Sequence, residues 1–278
     1  TLILEGRPKN FIEEYGSELI NLPINHTVLP SPFPFRDNVF CAVDTSITPY
    51  NFRDKEKMMQ NYKDVNKAIL TYVLAANGRT LVLFMSRNDM QKSFKNTSEF
   101  FRGHDILPIL QNGTSLEEIR EFQRNEYSVL FGVDRFWSGV DFPGSTLSQV
   151  IIVKAPNPGL DDPLIAHLRI YENDFMYTKY GIYGALKLRQ GFGRLVRSMK
   201  DRGGVIILDS RYEGNLNFQS HLHDLPVSVM FSSNQEKIMR EMLKSARLKT
   251  EFQNRQIDPF LAVRDYNLTF NKEIGGIA

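Results

Sequence analysis

Gln190, Gly193, Arg194 and Arg197 stand at positions i, i+3, i+4 and i+7 of one stretch, Gln190-Gly-Phe-Gly-Arg-Leu-Val-Arg197. On a helix that spacing gathers them on one face. Two guanidiniums on a common face, with a glycine that permits close approach, suit the holding of anionic oxygens. In phosphoryl transfer an arginine offered from a neighbouring domain neutralises charge on the γ-phosphate and supplies roughly 10³–10⁵ in rate. Arginines alone would also fit a solvated basic helix end; the preceding Gln and the Gly at this spacing favour the phosphate reading.

A second stretch lies about fifty residues upstream. The apolar run 128–133 leads into Asp134-Arg-Phe-Trp-Ser-Gly-Val-Asp141. A buried strand that ends in a glycine-containing loop at the carboxyl edge of a parallel sheet is where α/β proteins place ligands. Gly139 lets the backbone come close, and Asp141 can order a neighbouring arginine or a ribose. Phe136 and Trp137 are candidates to stack on a base, although two aromatics after a core strand more often pack inward.

The elements that position these residues follow from hydrophobic periodicity. Short apolar runs at 39–44, 81–85, 106–110, 128–133, 149–154 and 205–209 read as buried strands. Between them, 55–76, 88–101, 115–124, 163–176 and 183–199 read as helices, the first stopped by Asn77-Gly78. Ser115 with Glu118 resembles a capping box. Strands alternating with helices predict an α/β fold, a parallel sheet covered on both faces. Four prolines in residues 23–34 make the beginning an extended connector. Beyond about residue 225 the pattern weakens. Residues 234–247 form an amphipathic helix candidate, and the rest of the tail is expected to dock or to be partly disordered.

Composition sets few limits. The 278 residues, 42% hydrophobic and 24% charged, can bury a full core. A net charge of +2 is too small to demand a nucleic-acid partner. The single cysteine, Cys41, excludes an internal disulfide and any Cys-rich zinc or iron–sulfur site within these residues. No apolar run approaches the roughly 20 residues that span a bilayer, and a cytoplasmic, membrane-free location is expected. The chain starts without Met and directly on apolar residues, which reads as a piece of a longer protein. The five histidines are scattered, and no metal site is expected from His221 and His223. Asp161-Asp162 before Pro163 reads as a helix cap. No Gly-x-Ser-x-Gly nucleophile pattern occurs.

The order LVLFMS (81–86), FWSGVDFPG (136–144), QVIIVKAPNPGLDDP (149–163), QGFGRLVR (190–197) and VIILDSR (205–211) resembles the second RecA-like lobe of DinG/XPD-type superfamily-two helicases. The likeness covers about residues 1–225, and Thr1-Leu2 looks like the tail of the third motif. The resemblance implies a connector at 1–36, a RecA-like lobe at 37–225 and a C-terminal extension at 226–278. It implies the second motor lobe of an ATP-dependent DNA helicase that moves 5′ to 3′, a monomer whose partners are single-stranded DNA and the first lobe. By that likeness Arg194 and Arg197 are arginine fingers, and Gln190 and Gly193 meet the nucleotide. Gly139 and Asp141 join nucleotide sensing to DNA movement, and Ser86 with Arg87 contacts the DNA backbone.

Two positions depart from the pattern: Arg135 and Ser138 stand where the family often has Ser and Glu. Arg135 is either a further phosphate contact or an exposed loop arginine. The unmatched tail points to a specialised relative, such as the DinG-like helicase of type IV CRISPR systems or a plasmid or phage homologue. These residues contain neither a Gly-Lys-Ser/Thr phosphate loop nor an acidic Mg²⁺ motif. ATP and Mg²⁺ are therefore expected mainly on the first lobe, as is any iron–sulfur cluster, and the isolated chain is expected not to hydrolyse ATP. A non-catalytic binding module is the rival reading. A doubly wound nucleotide-binding transferase is weaker, because the glycine-rich phosphate loop is missing.

Overall fold

Strands whose residues are apolar at every position have two buried faces, and both are covered here. The computed structural model describes residues 33–112, 116–137, 140, 142, 147–157, 159, 163, 166, 179–196, 198–223, 225–246, 258–264 and 266. In chain order the elements are α1 (Phe35–Asn38), β1 (Val39–Asp44), α2 (Lys55–Ala75), β2 (Thr80–Leu83), α3 (Arg87–Gly103), β3 (Leu107–Leu110) and α4 (Glu117–Arg124). There follow β4 (Ser128–Gly132), β5 (Gln149–Val153), α5 (Lys179–Phe192), β6 (Gly203–Leu208), α6 (Leu216–Gln219), β7 (Val229–Ser232), α7 (Gln235–Ala246) and α8 (Pro259–Arg264). The seven strands form one parallel sheet in the order β3-β4-β2-β5-β6-β1-β7.

Side chains alternate across this sheet with the strand period of two. Ala42, Val82, Phe131, Ile151 and Ile206 point to the core under α2, α3, α7 and α8, where Ile69, Phe101, Met242 and Val263 lie. Val43, Leu81, Leu130, Ile152 and Ile207 point to the opposite core, with Phe122, Trp137, Leu188 and Tyr212. The result is the α/β sandwich that the alternating pattern predicts.

Local chemistry sets the helix ends. Asp54 caps α2 by accepting from the backbone N–H groups of Glu56 and Lys57, which satisfies two of its four orphan donors. The same helix stops at Asn77 and Gly78, both at positive φ. A side chain on Gly78 would run into the backbone of Tyr127 and Ser128, so this turn needs glycine both for its angle and for space. Ser86 caps α3, its Oγ accepting from Asp89 N at 3.3 Å.

Several elements differ from the sequence reading. The sheet does not end at β6: β7 pairs in parallel with β1, and the rim of the sheet lies past residue 225. Its four residues are half-exposed on an edge, too short and too mixed to show a period. Helix α7 belongs to the same body, because Met242 is fully buried against Gly204 at the start of β6. Helix α5 ends at Phe192 rather than running to 199, since Gly191 and Gly193 weaken it just where packing takes over. Glu118 does not close a capping box: its carboxylate accepts from Asn112 N and from Arg135. Ser115, most of the 163–176 helix and residues 1–32 of the connector lie outside the described residues. Among the described residues no helix is long and apolar enough to cross a membrane, and no group of three or more His, Cys, Asp or Glu could hold a metal ion.

Candidate functional site at the carboxyl edge of the sheet

The strand β4 turns sharply after Gly132. A side chain there would collide with Phe136, and Asp134 adopts φ 43°, so the chain folds back on itself in a single 3-10 turn, Asp134–Phe136. Gln111 Oε1 accepts from Val133 N at 2.7 Å and holds the start of the turn. The fold-back drives Phe136 and Trp137 inward. Both are buried, and Phe136 lies parallel to Phe142 with ring centroids 6.3 Å apart. Neither ring has a free face, so this pair does not stack on a base.

Trp137 instead joins three separate stretches. Its indole Nε1 donates to the carbonyl of Phe84 at 2.8 Å, where β2 ends and the Ser86 cap begins. On its other side the ring meets α5 at Gly191, where an added Cβ would stand 2.9 Å from Cε3 and Cζ3. The ammonium of Lys187 lies 5.7 Å from the ring centroid. The glycine that lets Trp137 pack against α5 is thus Gly191. A Cβ at Gly193 would meet only the carbonyls of Arg189 and Gln190, at 3.3 and 3.5 Å.

Arg194 stands two residues after the helix ends, its N–H bonded to the carbonyl of Gly191. Only 6% exposed, it points back into the protein. Nη1 donates to the carbonyl of Val140 and Nε to that of Gln190. The two glycine-rich stretches are therefore in direct contact. Gln190 and Arg194 touch through the Gln190 carbonyl, but Arg194 lies beyond the end of α5, so the two do not share a helix face. Arg197, Gly139, Asp141 and Ser138 lie outside the described residues.

Arg135 is neither an exposed loop arginine nor a free cation. Its Nη2 donates to Glu118 Oε2 at 3.1 Å, and its guanidinium lies 5.0 Å from the Phe136 ring centroid. Ser86 is spent on its cap, while Arg87, the first residue of α3, is exposed. At the end of β6 Asp209 is buried. It accepts from Ala155 N at 2.7 Å and from Nε and Nη2 of Arg211 at 2.8 and 2.7 Å, a fork that ties the ends of β5 and β6 together.

Sequence reasoning passed over a further cluster on this edge. Lys154, the residue after β5, takes φ 68°, a left-handed backbone uncommon for a side chain of this kind. The turn throws its ammonium 3.0 Å from Asp89 Oδ2 and 3.7 Å from the ring centroid of Tyr50. Tyr62 donates to the other oxygen of Asp89 at 2.8 Å. Burial, followed by the neighbouring Asp89 carboxylate, holds the Tyr62 phenol well above its ordinary range. No spacing rule links Tyr50, Tyr62, Asp89 and Lys154, and the sequence offers no signal for them.

These motifs have counterparts in known proteins. The helicase C-terminal domain family model matches residues 69–226. The ATP-dependent DNA helicase YoaA of Haemophilus influenzae is 30% identical over 234 residues, which cover 82% of this chain and 34% of that protein. The ATP-dependent helicase DinG of Mycobacterium tuberculosis is 39% identical over 150 residues, 51% of this chain and 22% of that one. The 3′-5′ exonuclease DinG of Bacillus subtilis is 28% identical over 219 residues, 76% of this chain and 23% of that one. The chain thus spans about a third or less of the length of these relatives. Among solved structures, apo XPD superposes with a TM-score of 0.51 at 22% identity, over 70% of this chain and 40% of its own. Yeast Dbp5 bound to RNA and ADP–BeF3 gives 0.54 at 12%, over 85% and 52%. At such identities the superpositions speak for the RecA-like helicase fold alone. The family match spans more than half of the chain and takes in both glycine-rich stretches, so the chain belongs to the helicase C-terminal domain family, in its DinG/XPD-like branch.

Proposed function

We propose that this chain is the second motor lobe of an ATP-dependent DNA helicase of DinG/XPD type that moves 5′ to 3′. Its partners on this reading are single-stranded DNA and a first RecA-like lobe of the same protein, which would carry most of the contacts to ATP and Mg²⁺. Among the described residues here no group of three or more His, Cys, Asp or Glu could hold that metal.

The observation that carries the reading is the contact between Arg194 and the Val140 carbonyl. A phosphate group can draw the guanidinium from this carbonyl, because arginine and phosphate pair through two parallel bonds between full opposite charges. On this mechanism nucleotide in the cleft draws Arg194 off Val140, Arg197 joins it, and the loop carrying Gly139 and Asp141 is released. Nucleotide arrival then becomes movement of that loop. Trp137 passes the movement to the end of β2, where Ser86 and Arg87 lie. The chain alone, lacking the phosphate loop, would not turn over ATP.

The same observation gives the rival some footing: an arginine that faces protein is what a non-catalytic module would also show. ATP turnover of the full-length protein on single-stranded DNA separates the two. Arg194→Ala and Arg197→Ala are each expected to lower turnover by about a hundredfold or more with folding preserved. Wild-type turnover in both variants would leave the binding module in the lead.

A further inference from the structure

The structure buries the aromatic pair that the sequence offered for stacking, and it exposes another. Phe52, in the loop between β1 and α2, is 70% exposed. The guanidinium of Arg53 lies 5.3 Å from its centroid, and no carboxylate pairs with Arg53 among the described residues. Two residues earlier Tyr50 carries the Lys154 ammonium on its face at 3.7 Å and meets Tyr62 edge-on at 6.3 Å. Lys154 in turn pairs with Asp89, in the first turn of the helix that Ser86 caps and Arg87 opens. Arg87, Lys154, Tyr50, Arg53 and Phe52 thus gather on the segments that follow β2, β5 and β1 at the carboxyl edge of the sheet, with Asp89 between Arg87 and Lys154.

Exposed rings interleaved with cations along a backbone track are how proteins hold single strands without reading sequence. We propose that Tyr50, Phe52 and Arg53, braced by Lys154, form a stacking platform for the bases of single-stranded DNA whose phosphates pass Arg87. The inference rests on the motor-lobe reading for the identity of the ligand, and on the exposure and cation pairing of the rings for the place. The left-handed backbone of Lys154 accompanies the placing of the ammonium on the face of Tyr50, 3.7 Å from the ring centroid.

The test is anisotropy of a labelled oligodeoxythymidine with the full-length protein at fixed salt, set beside an abasic strand of the same length. Phe52→Ala is expected to weaken oligodeoxythymidine binding about tenfold, the scale of one stacked base, and to leave abasic binding unchanged. Phe52→Tyr should restore it, and Phe52→Leu, apolar without a π face, should not. Arg87→Ala should weaken both strands alike. Wild-type affinity in Phe52→Ala, or an equal loss on both strands, overturns the platform while leaving the motor lobe standing. A wild-type protein that binds neither strand overturns the nucleic-acid reading itself.

Discussion

Two aromatic pairs stand at the carboxyl edge of the same sheet and meet opposite fates. Phe136 and Trp137 follow β4 and are sealed in the core; Tyr50 and Phe52 follow β1 and remain at the surface, Phe52 largely in water. Aromatic content does not distinguish them. The turn does: Gly132 and the left-handed Asp134 fold the first pair back over its own strand, and a buried carbonyl at Phe84 receives the indole N–H. A buried Trp needs such a partner. The loop after β1 has no comparable fold-back and runs on through Pro49 to the cap of α2. One pair therefore joins motifs together, and the other is free to meet a ligand.

The sharpest way to break this contrast is to delete the rings. Trp137→Ala empties a large core site and strands the Phe84 carbonyl, so chemical denaturation of the chain should show a loss of about 3–5 kcal/mol. Phe52→Ala in the same assay should stay within about 0.5 kcal/mol, as expected for an exposed position. A large loss at Phe52 would mean that its ring is structural and would remove the distinction.

The glycines give a finer version. Gly191→Ala pushes a methyl into the Trp137 ring and should cost about 1–3 kcal/mol. Gly193→Ala meets only carbonyls of its own turn at 3.3–3.5 Å and should cost about 1 kcal/mol at most. In Trp137→Phe the ring atoms that this methyl would strike are gone, so combining it with Gly191→Ala should recover part of the glycine variant's loss. Additive losses would show that the two residues do not share the joint.

The smallest effect is on the alkaline limb. Burial pushes the Cys41 thiol up to about 12 from its ordinary 9.0. Burial, with Asp44 beside Tyr72 and Asp209 beside Tyr212, holds those phenols well above the ordinary 10.0. Each folded value is raised, so their contribution is intact below about pH 9 and declines as pH rises from there. Stability measured against pH should fall above about pH 9, and native Cys41 should resist thiol reagents at about pH 8. Rapid labelling of the folded chain would contradict this burial.

Much of the architecture was legible in advance. The apolar, β-branched run 39–44 is β1 to the residue, and five further strands lie within two residues of their expected bounds, because a strand buried on both faces leaves a continuous apolar run between polar ends. The edge strand β7 was not legible, since only half of it is covered. At the candidate site the two glycine-rich stretches were recognised, but nothing in the sequence said that they touch. Nor was their wiring legible. Gly191 is the glycine that admits Trp137, Arg135 proved to be paired with Glu118, and Arg194 reaches the Val140 carbonyl.

The order of elements, the parallel sheet and the membership of a helicase lobe were thus determined by the sequence alone, through local periodicity and short motifs whose residues are close in the chain. Only the tertiary structure decided which rings are buried, which glycine yields space and which acceptor each cation takes. Those choices are made between residues 53, 54 and 65 positions apart, Trp137 with Phe84, Arg194 with Val140 and Lys154 with Asp89. Over such separations no local pattern constrains the partner; the packing of strand ends and helix against one another does.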